Sequence, residues 1–162
     1  QFLATNELDT FIAMHPGTSG FDLARRWEPE RFGELARRMG HEKGIRTVVT
    51  WGPGEKELAE RVVHESGGKA IISFESRSLL DLAELYRHAR MYIGCDTGPM
   101  HIATAVGLPS IVLFGSGDPA AYGPRSPGSH IVAHYGNGRI RPMSEITIEE
   151  VFRASLEILN AS

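Results

Sequence analysis

Short apolar runs alternate with amphipathic segments along this chain, and that alternation constrains its fold more than any other feature. Residues 11–15, 46–51, 70–74, 91–95 and 110–114 each read as a strand. Between them, residues 29–39, 55–66, 78–89 and 100–106 carry apolar side chains at helical spacing, as Phe32, Leu35, Ala36 and Met39 do in the first. The run Ile111-Val112-Leu113-Phe114 has no polar member. Such a strand is buried on both faces, which requires helices on both sides of a parallel sheet. The expected fold class is α/β, a three-layer Rossmann-like parallel sheet. Residues 130–134 predict an edge strand, 148–159 a closing helix, and the Gly-, Pro- and Ser-rich stretch 115–128 a long loop.

Local signals sharpen this outline. Ser78 and Asp81 are spaced as a capping box, and Gly107 suits a left-handed helix stop. A chain of 162 residues fits one domain. Its polar start lacks methionine, so residues 1–10 read as a linker remnant of something longer and residues 11–162 as the domain. The formal net charge of -3 gives no global pull toward nucleic acid. Cys95 is the only cysteine, which rules out an intrachain disulfide or a cysteine-based zinc cluster and suits a reducing compartment. No apolar run approaches the roughly 20 residues of a membrane span, and residues 1–10 lack signal-peptide features. Walker A, Gly-x-Gly-x-x-Gly and Gly-x-Ser-x-Gly segments are also absent. His130 and His134 share a strand face without an evident carboxylate partner, so no metal site is expected.

In open parallel sheets, ligands sit beyond the carboxyl ends of the strands. The chemically suggestive residues of this chain lie in those loops. At Gly94-Cys-Asp-Thr-Gly-Pro-Met-His101 a strand gives way to a helix within a turn. Asp96, Thr97 or Gly98 can cap that helix, and Pro99 suits its first turn. Two readings fit: a capped buried helix, or an anion site in which the amides near Thr97 and Gly98, the Thr97 hydroxyl and His101 meet a diphosphate. The loop after residue 15 offers the Thr18 and Ser19 hydroxyls, with Arg25 and Arg26 following as either phosphate clamps or a solvated patch. Glu55, behind Gly52-Pro53-Gly54, either complements a helix dipole or accepts ribose hydroxyls, with Glu57 as its neighbouring alternative. Ser76, Arg77 and Ser78 precede a helix at the same edge.

The segment Asp96-Thr-Gly-Pro-Met-His-Ile-Ala103, continuing to Gly107-Leu-Pro-Ser-Ile-Val-Leu-Phe-Gly115, closely resembles the signature of glycosyltransferase family 9, the ADP-heptose:lipopolysaccharide heptosyltransferases. The resemblance runs from about His15 to the final helix and corresponds to the C-terminal, donor-binding half of a GT-B glycosyltransferase. It implies transfer of a heptose from ADP-heptose to a lipopolysaccharide core acceptor. Thr18, Ser19, Arg25, Glu55, Arg77, Asp96, Thr97, Gly98 and His101 are the implied donor-binding residues, with Asp96 anchoring loop amides rather than touching phosphate. The family's general base is an Asp in an N-terminal domain, so no catalytic residue is expected in this domain, and alone it is expected to be inactive. That other domain would hold the acceptor. No cofactor, metal or nucleic acid is implied. The implied location is cytoplasmic, peripheral at the inner face of the inner membrane. The family opens the first helix with Lys-x-Trp-Pro, whereas here Arg25 takes the lysine's place and Glu28-Pro29 follows Trp27. A different nucleotide sugar, or a non-catalytic binding domain, are the alternatives.

Overall fold

The computed structural model describes residues 1–18 and 23–161. In chain order its first half contains α1 (Phe2–Thr5), β1 (Phe11–His15), a 3-10 turn (Leu23–Arg25), α2 (Pro29–Lys43), β2 (Arg46–Val49), α3 (Lys56–Glu65) and β3 (Ala70–Ile72). The second half contains α4 (Leu79–Arg87), β4 (Met91–Cys95), α5 (Gly98–Ala105), β5 (Ser110–Phe114), α6 (Pro119–Tyr122), β6 (His130–Ala133), β7 (Tyr135–Gly136), β8 (Arg139–Ile140), a 3-10 turn (Met143–Glu145) and α7 (Ile148–Asn160).

The six longer strands form one parallel sheet in the order β3-β2-β1-β4-β5-β6. Successive side chains of a strand point to opposite faces, and the core divides accordingly. Ile12 and Met14 of β1 join Trp27, Phe32, Leu35 and Met39, with Val62 of α3 and Val151 of α7, on one face. Phe11 and Ala13 join Leu82, Leu85 and Tyr86 of α4, with Met100 and Ala103 of α5, on the other. Both faces of β1, β4 and β5 are therefore buried, which is why their sequences are apolar but for His15 and Ser110 at strand ends. Trp27 is fully buried, edge-on to Phe32 at 5.0 Å, and donates to Ile146 O at 2.9 Å. It ties the entrance of α2 to the segment before α7.

Several boundaries differ from the sequence-based expectation. Helix α2 runs on to Lys43, until Gly44 adopts a φ of 68° and its N–H turns back to Met39 O. Strand β2 ends at Val49 rather than 51. The Thr50 N–H still pairs with Met14 O at 2.8 Å, after which the Gly52-Pro53-Gly54 turn leaves the sheet. Helix α5 starts at Gly98, with Thr97 as its N-cap, and Gly107 follows it at a φ of 78°. The Ser78–Asp81 capping box of α4 forms as expected. The stretch 115–128 contains α6, capped where the Ala120 N–H donates to Asp118 Oδ1 at 2.9 Å. The β7–β8 hairpin around Asn137-Gly138 had not been expected, although Asn-Gly is a strong turn signal. Residues 1–10, read as a linker, include α1, where Phe2 packs edge-on to Phe74 at 5.4 Å and Leu8 is buried nearby.

His130 and His134 do have carboxylate partners, contrary to the sequence reading. Nδ1 of His130 lies 3.4 Å from Glu157, and Nε2 of His134 lies 2.6 Å from Glu150, both on α7. The helix packs beside β6 and brings its acids to the strand, a proximity that strand spacing cannot reveal. Among the described residues, no three His, Cys, Asp or Glu side chains converge on a metal position, and no helix is long and apolar enough to cross a membrane.

Candidate functional site

The strand order reverses between β1 and β4, whose ends are in register at His15 and Gly94. Crossovers leaving such a point in opposite directions open a crevice at the carboxyl ends of the strands. A cavity of about 800 Å³ lies there. Trp51 and Glu55 line it from the turn before α3, Arg77 and Leu79 from the start of α4, and Thr97, Gly98 and His101 from the start of α5. Five residues singled out from sequence, Glu55, Arg77, Thr97, Gly98 and His101, thus meet in one space. Glu57 is exposed and does not line it.

The N-terminus of α5 points its dipole at this cavity. The Met100 N–H turns back to Thr97 O at 3.1 Å, and a Cβ built on Gly98 would meet nothing within 4 Å, so the backbone there is open to a ligand. Thr97 Oγ1 does not cap the helix. It is buried against the Tyr92 hydroxyl, and among the described residues neither group makes a hydrogen bond of good geometry.

Among the described residues, Asp96 holds a guanidinium: its Oδ2 accepts from Arg25 Nη2 at 2.9 Å, and its Oδ1 lies 3.8 Å from His101 Nε2. A carboxylate only 10% exposed needs a partner for its charge, and the guanidinium supplies one. Arg25 also donates to Asp96 O at 3.2 Å. Thr18 is buried and bound by the other arginine, Arg26, whose Nε donates to Thr18 Oγ1 at 2.9 Å. Thr18, Arg25 and Asp96 therefore flank the cavity rather than line it. Ser19 lies outside the described residues.

The sequence reading missed His15 as a site residue. It ends β1, is buried, and lines the cavity. Its Nε2 lies 3.3 Å from Glu55 Oε2, and its Nδ1 lies 3.0 Å from Thr50 Oγ1, which is in turn 3.2 Å from the Tyr86 hydroxyl. The Gly52 N–H donates to the same Glu55 oxygen at 2.9 Å. Burial pushes the Glu55 carboxyl up, but its interaction with His15, the Gly52 N–H and the Arg26 charge outweigh it and leave the group below its ordinary value. Glu55 is thus a carboxylate at neutral pH. The only available signal for His15 was a polar residue closing an apolar strand. Burial pushes the Cys95 thiol up to about 12, so it is no nucleophile.

The profile of glycosyltransferase family 9 (heptosyltransferase) matches residues 3–148. Lipopolysaccharide heptosyltransferase 3 of Escherichia coli (strain K12) is 28% identical over 113 residues, covering 68% of this chain and 32% of its own length. Among solved structures, the glycosyl transferase family 9 protein of Veillonella parvula superposes with a TM-score of 0.87 at 26% identity, over 99% of this chain and 50% of that one. An E. coli heptosyltransferase solved with ADP gives a TM-score of 0.80 at 26% identity, over 97% of this chain and 47% of that one. This chain spans about a third of that curated relative and about half of these solved ones. A signature at the β4–α5 junction, the sheet order and a profile match over most of the sequence agree: the chain belongs to glycosyltransferase family 9, the heptosyltransferases.

Proposed function

We propose that this chain is the nucleotide-sugar-binding part of a glycosyltransferase that moves a heptose from ADP-heptose to a hydroxyl of a lipopolysaccharide core. The observation that carries the reading is the convergence of Glu55, Arg77 and the α5 N-terminus on one cavity at the strand-order reversal. Glu55 accepts ribose hydroxyls, and Arg77 borders the base. The Gly98 amide and the α5 dipole hold the diphosphate. Arg25 and His101, kept in place by Asp96, oppose the charge that grows on the leaving diphosphate, with Thr18 and Ser19 adding donors from the preceding loop.

In the reaction, an acceptor oxygen attacks the anomeric carbon, the bond from that carbon to the β-phosphate oxygen breaks, and ADP departs with the electron pair. The acceptor's proton goes to a general base. In this reading the base belongs, as the family resemblance implies, on a facing domain that also binds the acceptor, and the present chain alone does not transfer. No cofactor is required. A lipid-linked acceptor places the complete enzyme peripherally at the cytoplasmic face of the inner membrane.

Calorimetry of the chain with ADP-heptose, UDP-sugars and GDP-sugars tests the donor, and transfer assayed with and without the facing domain tests the division of labour. ADP compounds binding at least about tenfold tighter is the expected result. Preference for UDP or GDP would replace the donor, and no nucleotide binding at all would remove the function.

A further inference from the structure

We propose that His15 is a positioning residue: by clamping one oxygen of Glu55 it makes the cavity select a ribonucleotide over its deoxy forms. The inference rests on the nucleotide-binding reading above and adds a residue and a selectivity to it.

Glu55 follows the Gly52-Pro53-Gly54 turn, with Gly54 at a φ of 76°, so little in the local backbone fixes its side chain. Two contacts hold it, His15 Nε2 at 3.3 Å and the donating Gly52 N–H at 2.9 Å, and both fall on Oε2. Among the described residues, Oε1 receives neither. One oxygen is thus anchored, which leaves Oε1 for a ligand in the cavity that Glu55 lines.

His15 itself is held. A carboxylate is an acceptor only, so Nε2 must carry a proton to face it. In the neutral ring Nδ1 then accepts, so the clamp requires the single Thr50 hydroxyl proton to go to Nδ1 at 3.0 Å rather than to Met14 O at 3.3 Å. The Thr50 oxygen in turn accepts from Tyr86, at 3.2 Å. Donation runs one way, from Tyr86 through Thr50 and His15 to Glu55, with Tyr86, Thr50 and His15 all buried between the rigid sheet and α4. Gly17 completes the arrangement, because a Cβ there would lie 2.3 Å from the Glu55 carboxylate. A ribose hydroxyl donating to a carboxylate fixed in this way gains a charge-assisted bond that a deoxyribose lacks.

Two isosteric changes separate the effects. In His15→Gln the side-chain amide reaches the position of Nε2, whereas in His15→Asn it reaches only that of Nδ1. Calorimetry with ADP, 2′-deoxy-ADP and 3′-deoxy-ADP is expected to show ADP binding at least about tenfold tighter than one deoxy form in the unmodified chain. His15→Asn should bring that ratio to within about twofold by weakening ADP alone, and His15→Gln should keep most of it. Equal weakening of all three nucleotides, or an unchanged ratio, overturns the proposal. Nitrogen-15 NMR of the free protein supplies a mutation-free check: the His15 ring must carry a proton on Nε2, and an Nδ1–H tautomer overturns the clamp even if neither variant folds. Failure of the unmodified chain to bind ADP would instead remove the nucleotide reading and leave the tautomer result to judge the clamp.

Discussion

A Cβ on Gly17 would stand 2.3 Å from the Glu55 carboxylate, a distance no side chain tolerates. The obstructing atoms are the far end of a flexible side chain, so Gly17→Ala should fold at a cost near the low end of the roughly 1–3 kcal/mol of overpacking. The carboxylate must swing away from His15, and ADP affinity should fall about tenfold or more by calorimetry, the loss of a charge-assisted bond. Unchanged affinity would mean that Glu55 does not meet the ligand. The acid behaviour of Glu55 gives a second prediction. Its folded-state carboxyl titrates below the ordinary value of 4.5, so on acidification the unfolded chain takes up that proton first. The stabilisation from Glu55 is complete above about pH 4.5 and is lost as pH falls through the lower folded value. Urea denaturation below about pH 4.5 should therefore show a steeper fall in stability for the unmodified chain than for Glu55→Gln. Equal slopes would contradict the assigned environment.

At the scale of elements, α2 and α3 make the most intimate helix pair in the molecule, and Gly33 lies at their contact. A Cβ at Gly33 would meet Glu65 Cβ at 2.3 Å and Val62 O at 2.9 Å. Part of that obstacle is backbone, so Gly33→Ala must push the helices apart. Alanine favours a helix over glycine by about 1 kcal/mol, yet the net effect should be a destabilisation of roughly 1–3 kcal/mol in urea. A stabilised variant would show that the helices have room to move. Glu55 caps α3, so the same substitution should also weaken ADP binding. The opposite layer is anchored differently. Helix α4 begins in a reciprocal capping box, with the Ser78 and Arg77 N–H groups both donating to Asp81 Oδ2, and this fixes the backbone that carries Arg77 to the cavity.

For the whole molecule, a ligand seated between the turn before α3 and the starts of α4 and α5 touches both helical layers and should stabilise the folded chain as one unit. Binding only the folded state at 100 times its Kd is worth about 2.7 kcal/mol. For a domain of 162 residues that corresponds to a rise in Tm of roughly 5–10 °C. Calorimetric melting with ADP should show this rise at saturation, with less for 2′-deoxy-ADP, and no shift would argue against a preformed site. High salt should reduce the gain, because Arg25 and Arg77 are partly or fully exposed and their attraction for a diphosphate is screened.

The linear sequence determined the two-sided sheet, because strand burial is written in consecutive residues: Ile111 to Phe114 can be apolar throughout only if both faces are covered. It also determined which loops line the cavity, since Glu55, Arg77, Thr97, Gly98 and His101 all follow strand ends, and the Ser78–Asp81 cap lies within a single turn. The Asn137-Gly138 turn is equally local, both residues taking the positive φ that this pair favours. Only the tertiary structure decided who partners whom. His15 meets Glu55 across 40 positions, Arg25 meets Asp96 across 71, and the histidines of the edge strand meet acids from α7. Periodicity records whether a side chain is buried, whereas its neighbours depend on strand order and register. Those are set by how β1 and β4 come to lie side by side, with His15 opposite Gly94, which no local pattern in the chain specifies.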